Sequence, residues 1–205
     1  MEFIFFIAVL VCSVVLHEVS HGVVANILGD PTAKNAGRLT MNPIPHIDPV
    51  GSLLLPGVLI AMSQLTGGGI ILGWAKPVPI NPANFKRPKR DSILVSLAGP
   101  ASNFALAIAF GLALRFLPLE MLNVNLAYIF GYIVLLNISL GVFNLLPIPP
   151  LDGSHVLLSL LPRSLEAVRR FLYQYGLFVL LFFLFFLSPV ISFFVRALFS
   201  LIVGA

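Results

Sequence analysis

The chain has 205 residues, of which 59% are hydrophobic and only 10% are charged, whereas about 25% of the residues in an average soluble domain are charged. Its mean hydropathy is +1.03, its isoelectric point is near 9.6 and its net charge is +4. This composition excludes a soluble globular domain and predicts an integral membrane protein, whose basic residues are better explained by membrane orientation than by nucleic-acid binding.

Apolar runs long enough to enter a bilayer occur six times. A helix needs about 20 residues to cross a hydrocarbon core of about 30 Å, and the runs cover residues 3–29, 50–66, 92–117, 124–146, 171–187 and 189–204. Before the first run stands an acid, Glu2, where a signal peptide needs basic residues, and no small-residue cleavage site follows, so we expect this run to be retained as a helix. The sequence predicts an all-α polytopic membrane protein with five to six membrane-embedded segments in a single domain, 1–205. Its core would cover about 1–160, followed by hydrophobic helices in about 165–204.

The first run contains the polar stretch LHEVSHG. His17 and His21 are four residues apart, so in a helix both imidazoles lie on one face and can reach one ion. His-Glu-x-x-His is the pattern in which two histidines bind zinc and the glutamate, here Glu18, acts as a general base. A pair of buried, hydrogen-bonded histidines is the alternative. Ionisable groups in a spanning helix are costly and persist mainly where function needs them, which favours an intramembrane metal site, nearer to the cytoplasmic face.

The second run, 50–66, is predicted to enter the membrane and return. Basic residues precede it, at Lys34 and Arg38, and follow it in a cluster at 86–90. Lys and Arg tend to stay on the cytoplasmic side, so we expect both flanks there. Pro and Gly in LLLPG and TGGGI allow a hairpin, because non-helical backbone is tolerated at depth where protein or water satisfies it.

The stretch WAKPVPI, which follows the second run, alternates in hydrophobicity and contains two prolines. This pattern indicates a short edge strand, which could bind an unwound polypeptide by strand addition. An interfacial anchor through Trp74 and Lys76 explains the same residues equally well.

A catalytic zinc site usually has three protein ligands, and the one cysteine, Cys12, cannot form a cluster. The candidates for the third ligand are His46, Asp48, Asp152 and His155. In FNLLPIPPLDGSH, three prolines force an extended turn that would present Asn144 and Asp152 to a polar cavity. Asp152 as the N-cap of the helix GSHVLLSLL is the alternative interpretation.

Three separated motifs, HEVSH, GPASN and NLLPIPPLDG, resemble in order and kind those of the site-2 protease family of intramembrane zinc metalloproteases (peptidase family M50). GDPTAKNAGRLTMNPIPHIDPVG and GWAKPVPINPANF extend the resemblance to its compact prokaryotic branch, over about residues 10–160. Unlike many members, the chain shows no PDZ or CBS domain. The resemblance implies proteolysis of single-span membrane-protein substrates in a prokaryotic cell membrane.

Specific roles follow from the resemblance, residue by residue. It implies that His17, His21 and Asp152 bind Zn²⁺ and that Glu18 is the catalytic base. Asn144 would stand near the active site, where it could bind the substrate backbone or the oxyanion. The packing motif of the next core helix would comprise Gly99, Pro100 and Asn103. The re-entrant segment would correspond to roughly 50–80.

Three further residues have a second interpretation beside a functional one. His46 and Asp48 could line the access path or bind substrate, but turn chemistry explains them equally well. His155 could approach the metal, although a structural histidine is favoured.

A zinc transporter or a metal-bound scaffold is the rival function. The scarcity of acids along the spans favours the protease, since a transporter needs ionisable ligands along a path through both faces.

Overall fold

The computed structural model describes residues 2–54, 57, 74–118 and 123–204, and this part of the chain is helical, with no strand assigned in it. The helices are α1 (Glu2–Ile27), α2 (Thr32–Asn35), α3 (Pro88–Phe116), α4 (Val124–Asn144), α5 (Asp152–Leu160) and α6 (Glu166–Val203). Shorter helical turns cover Ile44–His46, Pro49–Leu54, Pro82–Asn84 and Arg163–Leu165. Among the described residues, α1, α3, α4 and α6 are long and apolar enough to cross a membrane, so the chain is a multi-pass membrane protein.

The ends of the spanning helices carry recognisable start and stop signals. Proline stands in the first turn of α3, where its missing N–H costs nothing, and the Asp91 carboxylate accepts the Arg87 N–H at 2.8 Å. The Asn123 side chain caps α4 by accepting the Leu126 N–H at 2.8 Å. Gly204 ends α6 with φ of +82°, a left-handed conformation that glycine adopts without strain.

Helix α3 lies at the centre of the bundle and packs against α1, α4, α5 and α6. Small residues permit this: Ala107 is completely buried, and a Cβ on Gly111 would stand 2.3 Å from the Ile202 side chain. The main apolar cluster joins Ala107 to Val134, Ile138 and Val195. The bundle therefore holds α3 against both the histidine-bearing helix α1 and the segment around α5.

The C-terminal part of the chain differs from the sequence prediction. The runs 171–187 and 189–204 form one helix, α6, that continues through Pro189. A proline removes a single helical hydrogen bond, and in an apolar environment breaking the helix would leave several more polar groups unsatisfied. At 38 residues and 1.5 Å per residue, α6 is about 57 Å long, more than the roughly 30 Å needed to cross.

The predicted re-entrant segment lies mostly outside the described residues. Of the run 50–66, the structure describes 50–54, within the helical turn Pro49–Leu54, and position 57. Residues 74–80, here called the strap, are assigned neither as a helix nor as a strand. The expected re-entrant hairpin with a β element is thus not confirmed.

A second feature of the described residues, here called the cap, comprises residues 29–54 and 81–87. Together with the strap, it lies between the end of α1 and the start of α3. Asp30, completely buried, organises it. Its Oδ2 accepts the Asn81 N–H at 2.7 Å, and its Oδ1 accepts the Asn84 side-chain amide at 2.7 Å. The Thr32 N–H, at 3.1 Å, and the Thr32 hydroxyl also donate to Oδ1. One carboxylate thereby ties the two segments of the cap together.

Candidate metal centre

The structure brings together three of the residues predicted as metal ligands. Nε2 of His17 lies 3.0 Å from Oδ2 of Asp152, Nε2 of His21 lies 3.3 Å from the same oxygen, and the two nitrogens are 3.1 Å apart. Tetrahedral zinc with bonds of about 2.0–2.1 Å needs ligand atoms separated by about 3.3 Å. Both histidines are buried, and among the described residues this is the one group of His, Cys, Asp and Glu able to hold a metal ion.

A chain of buried amides determines which nitrogen of His17 carries hydrogen. Asn137 Nδ2 donates to the Ile133 carbonyl at 2.9 Å and to the Ser13 hydroxyl at 3.0 Å; a carbonyl can only accept, so Asn137 Oδ1 must face Asn103. Asn103 Nδ2 donates to that oxygen at 2.9 Å. Its own Oδ1 is left to accept from His17 Nδ1 at 2.6 Å. The Nε2 of His17 therefore presents a lone pair to the site.

His21 is oriented by a main-chain group of α3. Its Nδ1 lies 2.7 Å from the Val95 carbonyl oxygen, which can only accept, so Nδ1 carries the hydrogen and Nε2 carries the lone pair. Two imidazole lone pairs and a carboxylate oxygen thus converge with no hydrogen between them, and Asp152 Oδ2 is buried without a hydrogen-bond partner. A cation satisfies all three atoms at once, and the residues present fit a zinc ion.

Glycines give the ligands room. A Cβ on Gly99 would lie 2.4 Å from Nε2 of His21 and 2.6 Å from Nε2 of His17, so the absence of a side chain in α3 creates the cradle for both imidazoles. A Cβ on Gly153 would lie 2.2 Å from the Leu145 carbonyl oxygen. Glycine at 153 thereby lets α5 begin directly under the proline-containing turn, with Asp152 as its first residue.

The ligand atoms face a cavity of about 1170 Å³. Glu18 and Asn144 line it beside the three ligands, and so do His155 and part of the strap. Glu18 Oε2 accepts the Val78 N–H at 2.9 Å, and Asn144 donates its side-chain amide to the Leu140 carbonyl at 3.0 Å. A carboxylate next to a metal-binding triad, in a cavity inside an apolar bundle, can serve as a proton acceptor.

The other candidates for the third ligand lie outside the triad. His46 is buried in the cap, where its Nε2 bonds the Thr40 carbonyl at 3.0 Å. Asp48 caps its own turn by accepting the N–H groups of Val50 at 3.0 Å and Gly51 at 2.7 Å. His155 lines the cavity but is exposed and is not one of the grouped ligands. The alternative role for Asp152 also fails, because the N-cap of α5 is Leu151 and no side chain caps it.

Sequence reasoning missed the hydrogen-bonded support of the first histidine. Asn137 received no role from the sequence, although an asparagine inside the apolar run 124–146 is a signal of the same kind as the histidines in α1. Asn103 was assigned to packing, and the structure adds its hydrogen bond to His17. Ser13 is inconspicuous in sequence, because a hydroxyl in a spanning helix usually bonds its own backbone.

Known proteins resemble this chain as follows. A family profile described as Peptidase family M50 matches residues 118–187. "Putative zinc metalloprotease YwhC" of Bacillus subtilis is 40% identical over 183 residues, which cover 86% of this chain and 78% of the relative. "Putative zinc metalloprotease Rip2" of Mycolicibacterium smegmatis is 35% identical over 155 residues, covering 74% of this chain and 55% of the relative. No solved structure matches.

Proposed function

Since the chain belongs to peptidase family M50 and is a zinc metallopeptidase, we propose that it cuts peptide bonds in or near the transmembrane segments of membrane proteins. The observation that carries the proposal is the convergence of two imidazole nitrogens and an Asp152 oxygen beside the Glu18 carboxylate. The described residues that surround this site include four helices long and apolar enough to cross a membrane. A site built on helices that can cross the bilayer suits a peptide bond that lies there. Its substrate would be a single-span membrane protein, and the surrounding bilayer would be that of a prokaryotic cell membrane.

The roles of the chain's own residues follow from their chemistry. His17, His21 and Asp152 would hold the ion, which when bound lowers the pKa of a coordinated water to about 7 and polarises a carbonyl. Glu18 would take the proton from that water and pass one to the departing amine nitrogen. Asn144, on the cavity wall, would donate a hydrogen bond to the substrate backbone or to the oxyanion.

Substrate binding would involve the strap. A helical substrate must unwind before its peptide bonds are accessible, and residues 74–80 would bind the unwound segment alongside by strand addition. Pro77 and Pro79 have no N–H, so at these positions the added segment would be held through its own N–H groups donating to strap carbonyls.

We propose further that residues from about 50 to 80 re-enter the membrane from the cytoplasmic side, nearer to which the active site would lie. The two ends of this segment meet: the Trp74 N–H donates to the Gly51 carbonyl at 3.1 Å, and the Ser52 hydroxyl donates to the Trp74 carbonyl at 2.8 Å. A segment whose two ends meet at one place is more compatible with a hairpin that enters and leaves the membrane on one side than with a helix that crosses the bilayer. The basic residues before and after it support the cytoplasmic side.

The test is cleavage of a single-span substrate by purified protein reconstituted in lipid, with zinc content measured in parallel. Glu18→Gln keeps the size of the side chain but cannot accept a proton at neutral pH, so cleavage should fall by at least about 10⁴-fold, the upper end of general-base contributions. Zinc should stay at one per chain. The matched control is Glu166→Gln, because Glu166 is an exposed acid paired with Arg169 at the start of α6.

The outcomes separate the candidate functions. Cleavage by Glu18→Gln at the wild-type rate would remove Glu18 from the mechanism. Absence of cleavage of any membrane substrate by the wild type would refute the protease, and a non-hydrolytic zinc transporter or scaffold would replace it.

A further inference from the structure

The strap contacts the proposed base through its main chain. Val78 is 6% exposed, and its N–H is the group that donates to Glu18 Oε2 at 2.9 Å. One oxygen of the carboxylate is therefore fixed by the strap, and the other remains to accept a proton. The position of Glu18 in the cavity depends on where the strap lies.

Two buried charged side chains hold the strap on either side of Val78. Arg38, 7% exposed, donates Nη2 to the Lys76 carbonyl at 2.7 Å. Asp30, completely buried, accepts the Asn81 N–H at 2.7 Å. Between these anchors, which are five residues apart, the chain passes across the Glu18 carboxylate.

A main-chain bond reinforces the first anchor. The Lys76 N–H donates to the His46 carbonyl at 2.9 Å, so both polar main-chain groups of Lys76 are bound by the cap. The motif GRLTMNPIPH, which supplies Arg38 and His46, has no part in binding the metal. Its contacts instead fix a segment that touches the base.

The burial of Arg38 is only partly compensated, because its Nε is buried without a hydrogen-bond partner among the described residues. Burying a guanidinium with an unsatisfied N–H costs free energy. A side chain retained purely for packing could fill this space without that cost. Among the described residues, the one hydrogen bond of the Arg38 side chain goes to the strap, which indicates that holding the strap is the task of its guanidinium.

We propose that Arg38 and Asp30 are positioning residues for Glu18, acting through the strap so that the Val78 N–H holds the carboxylate in the orientation needed for proton transfer. This inference rests on the proposed function and extends it. A misplacement of about 1 Å at a reacting group can lower the rate by about 100-fold. Loss of an anchor should therefore slow turnover while the metal ligands, which come from α1 and α5, stay in place.

The experiment compares Arg38→Met, which keeps the length of the side chain but has no donor, with Arg38→Lys, which keeps one donor. Lys34→Met is the control, because Lys34 is an exposed cap residue. We expect Arg38→Met to lower kcat by about 10- to 100-fold with zinc content nearly unchanged, and Arg38→Lys to recover most of the loss. Exchange of the Val78 amide hydrogen, isolated between two prolines, should be faster in Arg38→Met and near the wild-type rate in Arg38→Lys.

Several results would overturn the inference. One is faster exchange at Val78 with kcat unchanged, and another is a loss of zinc that parallels the loss of turnover. If Arg38→Met does not fold, Asp30→Asn tests the second anchor with the same three measurements. Absence of cleavage by the wild type refutes the proposed function itself, whereas normal cleavage by wild type and both anchor variants refutes only this role.

Discussion

A methyl group added at Gly99 should strongly weaken zinc binding. In Gly99→Ala the new Cβ would stand 2.4 Å from Nε2 of His21, 1.0 Å short of the 3.4 Å at which ordinary contact begins, and 2.6 Å from Nε2 of His17, 0.8 Å short. Metal-ligand distances tolerate only about 0.2 Å. The loss of an outer-shell contact typically weakens metal binding about 10- to 100-fold. Displacements several times larger than about 0.2 Å should weaken zinc binding by more than about 100-fold, which is a loss of at least about 2.7 kcal/mol of binding free energy.

Gly131→Ala is the matched control, because Gly131 also lies inside a spanning helix and a Cβ there meets nothing within 4 Å. It should keep wild-type zinc affinity and stabilise the helix by about 0.5–1 kcal/mol. The assay is competition between purified protein and a chromophoric chelator, with thermal unfolding to establish that both variants fold. Wild-type zinc affinity in Gly99→Ala, or an equal loss of zinc affinity in Gly131→Ala, would refute the inference that the missing side chain at Gly99 makes room for the two imidazoles.

Three further predictions concern the support of the site and its orientation. Asn137→Leu should weaken zinc binding about 10- to 100-fold in the same competition assay, and unchanged affinity would show that the amide chain does not influence the metal. Burial raises the pKa of Asp30, but its hydrogen bonds outweigh burial and the net pKa is lowered from 3.8. The stability that the carboxylate contributes is then present above pH 3.8 and lost as the pH falls through the lowered pKa, so the unfolding midpoints of wild type and Asp30→Asn should converge in acid; a constant difference would contradict this. Cysteines replacing Lys34 and Arg87, in a Cys12→Ser background, should both react with an impermeant thiol reagent from the cytoplasmic side, and labelling from opposite sides would exclude the re-entrant hairpin.

The sequence identified the two histidines and the glutamate because a helix converts four-residue spacing into a shared face. It could not choose among the four candidates for the third ligand by spacing, since that choice depends on how α5 meets α1 across the bundle. Asp152 came from the family resemblance, and the structure places it against both histidines. Local periodicity thus predicts ligands within one helix, whereas ligands from separate helices need tertiary packing.

The difference between local sequence pattern and tertiary packing also explains the wrong prediction in the C-terminal part and the missed role of Arg38. The sequence predicted separate apolar runs at 171–187 and 189–204, but the structure has one helix that continues through Pro189. An apolar environment penalises broken hydrogen bonds more than it penalises a proline. The role of Arg38 could not be predicted, because a basic residue in a loop of a membrane protein is already explained by the orientation of the protein in the membrane. Its bond to the Lys76 carbonyl appears only when the cap folds back on α1.

The amide chain from Ser13 through Asn137 and Asn103 to His17 links α1, α4 and α3 and consists entirely of bonds between protein groups. Sliding one helix by a turn, about 5.4 Å, would leave several of these buried groups without partners, so this hydrogen-bonded network fixes the vertical alignment of the three helices. Many small zinc proteins fold only around their metal. Here the aligning bonds use Nδ1 of His17 and not Nε2, which faces the metal site. Alignment of the helices and binding of zinc therefore depend on different atoms of the same side chain.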